Sequence, residues 1–240
     1  TDLAAFTSLV EASDPDLIVE LLNSYFDQLA RIVFDHNGTV MKVIGDAMHA
    51  AFGAPVDQPD HGERAVACAL AIDRFAEDFR KQWNLRGLEL GITRIGINTG
   101  PAIIGNFGGE NFFDFTAYGT AVNTAARLEA ANKVLGTRIC ISQSVVDMCP
   151  DFQGRPAATL KLAGHAGTVL AYEPLEAEAA NSDAIETYRA AFAQLEAGST
   201  DARQAFAALI GQLPDDPLTL LHLQRALSGA ADTVVDMAAK

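Results

Sequence analysis

The chain has 240 residues, 49% of them hydrophobic, enough to bury one sizeable core with an appendage beside it. Its 31 acidic and 17 basic side chains give a formal net charge of -14, which disfavours duplex DNA and anionic membranes, since both are bound by Lys and Arg neutralising phosphates. No apolar run reaches the roughly 18 residues of a membrane span, and the opening "TDLAAFTSLVEASD" lacks both the basic start and the cleavage pattern of a signal peptide, so a cytoplasmic setting is expected, with any membrane anchor supplied by an upstream segment.

Thr1 and Asp2 read as the end of a first strand whose other residues would lie upstream, which suggests a piece of a longer protein. After the helix-like "LAAFTSLVE", Asp14 serves as N-cap and Pro15 takes the first helical position. Ile18, Leu21, Leu22, Tyr25, Leu29, Ile32 and Val33 follow at helical spacing until Asn37 and Gly38. "TVMKVI" and "AMHAAF" are predicted strands joined by the two-residue turn Gly45-Asp46, with Gly supplying the positive φ. Asp60 and Glu63 form a capping-box pattern that opens a second amphipathic helix, running to about Trp83. "LELGITRIGINTGPAIIGNFG" and "NFFDFTAYG" read as strands around the turn "GGEN". The helix "TAVNTAARLEAANKVLG", the strand "RICIS" and a last pair near "ATLKLAG" and "TVLAYEPL" complete the pattern. Helices on one face of a mainly antiparallel sheet define an α+β, ferredoxin-like architecture.

A change of pattern at "EAEAANSD" divides the chain into a domain over residues 1–176 and a helical tail over 182–240. The tail predicts two helices broken at Gly198-Ser199 and a third after "PDDP", similar to one tetratricopeptide-type hairpin plus a further helix. A repeat array needs several stacked units, so the tail is expected to pack on its own domain or an adjoining segment.

Several polar residues interrupt this pattern. Lys42 shares a strand face with Val40 and Ile44, where an unpaired ammonium is costly, so it needs a partner. Asp46 at the hairpin tip and Asp2 at a strand end suit a hard cation as carboxylate ligands, and equally suit the bland roles of turn former and N-cap. Asn123 and Arg127, four apart, share one helix face; they can serve one ligand, or cap a turn and pair with an acid. His36, His49, His61, His165 and His222 show no metal-ligand spacing and read as surface or strand histidines. Cys68, Cys140 and Cys149 form no C-x-x-C pair, so reduced thiols are expected. No G-x-x-x-x-G-K-[ST] sequence supports a P-loop.

"DLAAFT", "KVIGDAMHAAFG", "GINTG", "DFTAYGTAVNTAARLE" and "GTRICIS" stand in the order and spacing of class III adenylyl and guanylyl cyclase catalytic domains, and over roughly residues 1–175 the chain resembles that family. The resemblance implies attack of the ribose 3′-hydroxyl of ATP on its α-phosphorus, with pyrophosphate leaving. Asp2 and Asp46 would hold two Mg²⁺ or Mn²⁺ ions, and Lys42 and Thr116 would read the purine as adenine. Asn123 would orient the ribose, Arg127 would stabilise charge on the α-phosphate, and amides around Phe6 and Thr7 would seat the triphosphate. Thr116, where other members carry Asp, is similar to the class IIIb branch, many of whose members respond to bicarbonate. The family further implies a head-to-tail homodimer with two shared sites, and an upstream regulatory domain.

The sequence departs from the family at Ala5, usually Gly, and at Thr120, commonly acidic or amide. At "KLAGHAG" it has Ala163 and His165 near the place of a phosphate-binding lysine, which leaves that contact unassigned. Other readings are a weak or inactive dimerising sensor module and a guanylyl or diguanylate cyclase. Against the diguanylate reading, "GGENF" puts Asn111 where the GG[DE]EF signature has an acid, and Gly108 and Gly109 read as turn residues.

Overall fold

The computed structural model describes residues 1–164 and 167–237. The chain begins with β1 (Asp2–Leu3), α1 (Phe6–Ala12), α2 (Pro15–Asp35) and the hairpin β2 (Thr39–Ile44) and β3 (Ala47–Ala51). It continues through α3 (His61–Leu85), β4 (Thr93–Ile97), the hairpin β5 (Ile103–Gly109) and β6 (Phe112–Tyr118), and α4 (Thr120–Leu135). Next come β7 (Ile139–Ser142), α5 (Gln143–Val146), β8 (Gly154–Lys161) and β9 (Val169–Pro174). The last elements are α6 (Ala177–Ala180), α7 (Asp183–Glu196), α8 (Ala202–Leu209), α9 (Pro217–Leu227) and β10 (Val234–Asp236).

The expected α+β architecture is present. Six strands form one sheet in the order β1-β4-β7-β9-β8-β10; β4–β7 and β8–β10 are parallel, and the other neighbours antiparallel. The β2–β3 hairpin adjoins β1, where the Thr1 nitrogen donates to the Met48 carbonyl at 2.8 Å. Among the described residues the β5–β6 hairpin pairs only within itself, and it carries the exposed Ile103, Phe112, Phe113 and Tyr118. Its two-residue turn is Glu110-Asn111, so Gly108 and Gly109 lie in the strand rather than in the turn.

Helix α2 starts as predicted, with the Asp14 carboxylate accepting from the Asp16 amide at 2.8 Å. Its buried stripe of Ile18, Leu21, Tyr25, Leu29 and Val33 faces the core, where each fully buried Leu contributes about 1.5–3 kcal/mol. The buried Tyr25 hydroxyl is satisfied by the Thr93 hydroxyl of β4 at 2.9 Å. Helix α3 begins at the predicted place without the capping box: Asp60 accepts from Arg64 Nε at 2.7 Å and makes no cap bond.

Helix α4 lies directly on β4. A Cβ on Gly96 would fall 2.1 Å from the Ala125 carbonyl oxygen and 2.2 Å from the Glu129 amide, so only glycine permits this approach. Asn132 holds the same face, donating to the Ile95 carbonyl at 2.9 Å while accepting from Thr137 at 2.7 Å.

Among the described residues the buried core has two clusters. One lies among α2, α3 and the first strands; the other joins Leu128 and Leu135 of α4 and Leu160 of β8 to Phe206 and Leu218 of the C-terminal helices. Helices α7, α8 and α9 form where the tail was predicted helical, but the segment also contributes β10 to the sheet. Three residues are too short to show a strand period, and their partner β8 lies about 75 positions away. His222 is a correction: it is fully buried in α9, with Nε2 2.8 Å from the Ala157 carbonyl. The three cysteines are free and buried. Among the described residues, no helix is long and apolar enough to cross a membrane.

Candidate active site

Asp46, in the β2–β3 turn, reaches β1 beside Asp2. Gly45 adopts φ 61, the turn conformation expected for it, and the Asp46 carboxylate accepts from the Leu3 amide at 3.1 Å, one residue past Asp2. Arg94, opposite Asp2 across the β1–β4 pair, donates to the Asp2 carboxylate. Its Nε lies 2.9 Å from Glu129 of α4, close enough for an ion pair but not aligned as a hydrogen bond. Burial, then the nearby Asp2 charge, pushes the Glu129 carboxyl upward, against the pull of Arg94.

Lys42 has the partner its position demanded. Its ammonium pairs with Asp114 of β6, which lies two residues before Thr116 and so on the same strand face. The surroundings differ from the apolar interior read from the sequence: a β-bulge falls between Val40 and Lys42, the Lys42 side chain is 41% exposed and Ile44 is 61% exposed. Thr116 itself is buried.

Asn123 and Arg127 lie on one face of α4, as their spacing predicts. Among the described residues Arg127 makes no ion pair, whereas Arg94, Arg138 and Arg155 all do. Arg127 Nη2 would stand 3.1 Å from a Cβ on Gly164, which places the guanidinium beside the turn that contains Ala163. His165 lies outside the described residues. A cavity of about 600 Å³ is lined by Asp2 and by Ala121, Ala125 and Glu129 of α4, but not by Asn123 or Arg127. One chain therefore brings Asp46 to β1 beside Asp2, ties Lys42 to the β6 face that bears Thr116, and keeps Asn123 and Arg127 off the cavity that Asp2 lines.

Helix α1 starts at Phe6, three residues after β1, with Phe6 partly buried and Thr7 exposed. Ala5, its N-cap, has φ 58 and ψ 21 and makes no side-chain cap bond, so this departure from Gly places an L-residue in the left-handed region. Thr120 opens α4 after Gly119, again with no side-chain cap.

A family model for the adenylate and guanylate cyclase catalytic domain matches residues 1–172. The chain belongs to this family. Adenylate cyclase 1 of Rhizobium meliloti is 38% identical over 174 residues, which covers 72% of this chain and 26% of that protein. Among solved structures, the adenylyl cyclase CyaB from P. aeruginosa matches with 30% identity and a TM-score of 0.67, over 73% of this chain and 90% of its own. The guanylyl cyclase Cya2 matches with 30% identity and a TM-score of 0.63, over 72% and 87%. The chain thus spans about a quarter of the Rhizobium relative's length, and its residues beyond 172 fall outside the family match.

The cyclase domain's acid pair fits a divalent cation by its donor chemistry. Mg²⁺ is commonly held by one or two carboxylates plus substrate phosphates, with water filling the rest, and Asp2 and Asp46 supply two hard oxygen donors on adjoining strand ends. No group of three or more acidic, His or Cys side chains suited to a metal occurs among the described residues, so nucleotide oxygens and water would complete the shell. Sequence reasoning missed Arg94, Glu129 and Asp114. The signal for Arg94 was the one that exposed Lys42: a cation inside the strand-like run "GITRIGI".

Proposed function

We propose that this domain is an adenylyl cyclase, converting ATP to 3′,5′-cyclic AMP and pyrophosphate in two equivalent sites shared by a homodimer. The observation that carries the choice of purine is the ion pair of Lys42 with Asp114, which holds an ammonium near the face of β6 that bears Thr116. Lys42 donates to an adenine ring nitrogen, and the Thr116 hydroxyl accepts from the exocyclic amine. Guanine turns a ring N–H toward the ammonium, donor against donor, and is disfavoured.

Asn123 orients the ribose so that its 3′-oxygen faces the α-phosphorus. Arg127, a guanidinium with no ion pair of its own among the described residues, stabilises charge gathering on the α-phosphate as the O3′–P bond forms and the bond to pyrophosphate breaks. The first-turn amides of α1, around Phe6 and Thr7, seat the triphosphate. Asp2 and Asp46 would hold two Mg²⁺ or Mn²⁺ ions, whose charge would favour loss of the 3′-hydroxyl proton to water and neutralise the leaving pyrophosphate.

The shared site is supported by the outward face of Asn123 and Arg127, which do not line the cavity that holds their own Asp2. A regulatory segment elsewhere in the full-length protein is in keeping with the length of the Rhizobium relative. Likeness to the guanylyl cyclase Cya2 makes GTP the necessary comparison.

The test is turnover of ATP and GTP by purified protein with Mg²⁺ or Mn²⁺, with products separated chromatographically. ATP should be preferred, and Lys42→Glu with Thr116→Cys should cut its use by about 5- to 150-fold per lost contact, equivalent to about 1–3 kcal/mol each. Unchanged ATP turnover by the folded double variant would reject the adenine-reading role.

A further inference from the structure

Helix α4 carries Asn123 and Arg127 on one face and buries Leu128, Ala131 and Leu135 on another, in one cluster with Leu209 and Leu218 of the C-terminal helices. Its C-terminal end makes a closer contact. Gly136 caps the helix with φ 73, and a Cβ there would fall 2.4 Å from Pro217 Cβ, so the ring of Pro217 rests against the backbone of the cap.

Pro217 cannot drift from that position, because the residue before it is anchored. Asp216 accepts from the Thr219 amide at 2.8 Å and the Thr219 hydroxyl at 2.6 Å, and so caps α9. It also accepts from Arg155 Nη1 of β8 at 3.0 Å. Arg155 is bound to Glu173 at 2.8 Å and stacks over the Tyr188 ring at 4.6 Å. The Arg155 and Asp216 side chains are only 5% and 12% exposed; moving Asp216 would leave a buried charge without its partner. Asp216 and Pro217 both lie beyond the family match.

We propose that Asp216 and Pro217 are positioning residues for the cyclase reaction: the anchored start of α9 bears on Gly136, fixes the tilt of α4, and thereby sets the direction in which Asn123 and Arg127 point. The catalytic part rests on the adenylyl cyclase reading. A continuous 16-residue helix moves as one body, and a displacement of about 1 Å at a catalytic group can cost about 100-fold in rate. Lys42, Thr116, Asp2 and Asp46 lie on other elements, so base reading and metal binding should be spared.

The experiment uses the 240-residue chain with Pro217→Gly, which removes the Cβ that rests on Gly136, Leu218→Ala, and the comparison variant Leu195→Ala on α7, a helix that packs on α8 and β8. Hydrogen exchange across residues 120–135 and steady-state kinetics with ATP are read at equal folded fraction. Faster exchange in the last two turns of α4, with kcat lowered about tenfold and KM within about twofold, is expected for both α9 variants and not for Leu195→Ala. Unchanged α4 exchange in a folded α9 variant, or an equal kcat loss in Leu195→Ala, would overturn the proposal. A wild-type chain without turnover would refute the cyclase reading instead, and the exchange measurement would then decide the α9–α4 contact by itself. Pro217→Gly leaves the Asp216 cap of α9 untouched, so it carries the test should Leu218→Ala fail to fold.

Discussion

Arg94 donates to the carboxylate of Asp2, the residue expected to bind metal, from the directly opposite position on the neighbouring strand. Its other contact is the mostly buried Glu129. Removing the guanidinium leaves two carboxylates without their cation.

Arg94→Met should therefore destabilise the fold by about 1–3 kcal/mol at pH 7, as expected when a mostly buried pair loses one member. The Glu129 carboxyl is already pushed above its ordinary value by burial and Asp2. A raised carboxyl favours the folded state more as pH falls through its folded pKa, because the folded protein then holds the extra proton. The penalty should thus be smaller at pH 5 than at pH 7 in urea unfolding; a penalty that grows on acidification would contradict this account.

Mixing inactive chains tests the shared site. Asp46→Ala and Arg127→Ala homodimers each spoil both sites, whereas a heterodimer collects both lesions in one site and leaves the other whole. With free exchange at equal concentrations about half the dimers are mixed, so activity should return to about a quarter of wild type. Differently tagged chains would verify exchange, and proven heterodimers without cyclic AMP synthesis would point to a site contained in one chain.

Ala5→Gly should stabilise the protein by about 1 kcal/mol, since Ala5 holds a left-handed conformation that costs an L-residue about 1–2 kcal/mol and costs glycine little. A rise in the thermal midpoint with unchanged turnover is the expected result. A fall would mean that the Ala5 methyl makes a contact worth more than the strain.

Acid should loosen the C-terminal segment through His222. Burial lowers its pKa to about 4, reinforced by Arg225 and Arg155 and opposed by the Ala157 hydrogen bond and Asp216. A depressed histidine stabilises the fold fully above its unfolded pKa of about 6.5, and that stability is lost as pH falls toward 4 because the unfolded chain binds the proton first. The loss is about 3 kcal/mol. His222→Gln should flatten this part of the stability profile; an unaltered slope between pH 6.5 and 4 would show that other groups govern it.

Local signals carried the sequence reading where neighbours in the chain decide the structure. Asp14-Pro15 and the apolar spacing after it marked α2, and Gly45-Asp46 marked the hairpin. Lys42 announced that it needed a partner, but the identity of Asp114 depends on β6 folding back across 72 positions. Glu129 was unreadable for a similar reason: its meeting with Arg94 requires α4 to lie on β4. The capping box at Asp60 failed because Arg64, one turn along, took the same carboxylate. The burial of His222 depends on the C-terminal helices closing over β8, which no local pattern records.

The contact at Gly96 limits how α4 can move at all. With backbone resting on backbone between Ala125 and Glu129, no side chain stands between helix and strand there to take up a displacement. Gly96 therefore sets the height of Arg127 above the sheet: any bulk added at that position must lift α4 off β4, and the guanidinium with it.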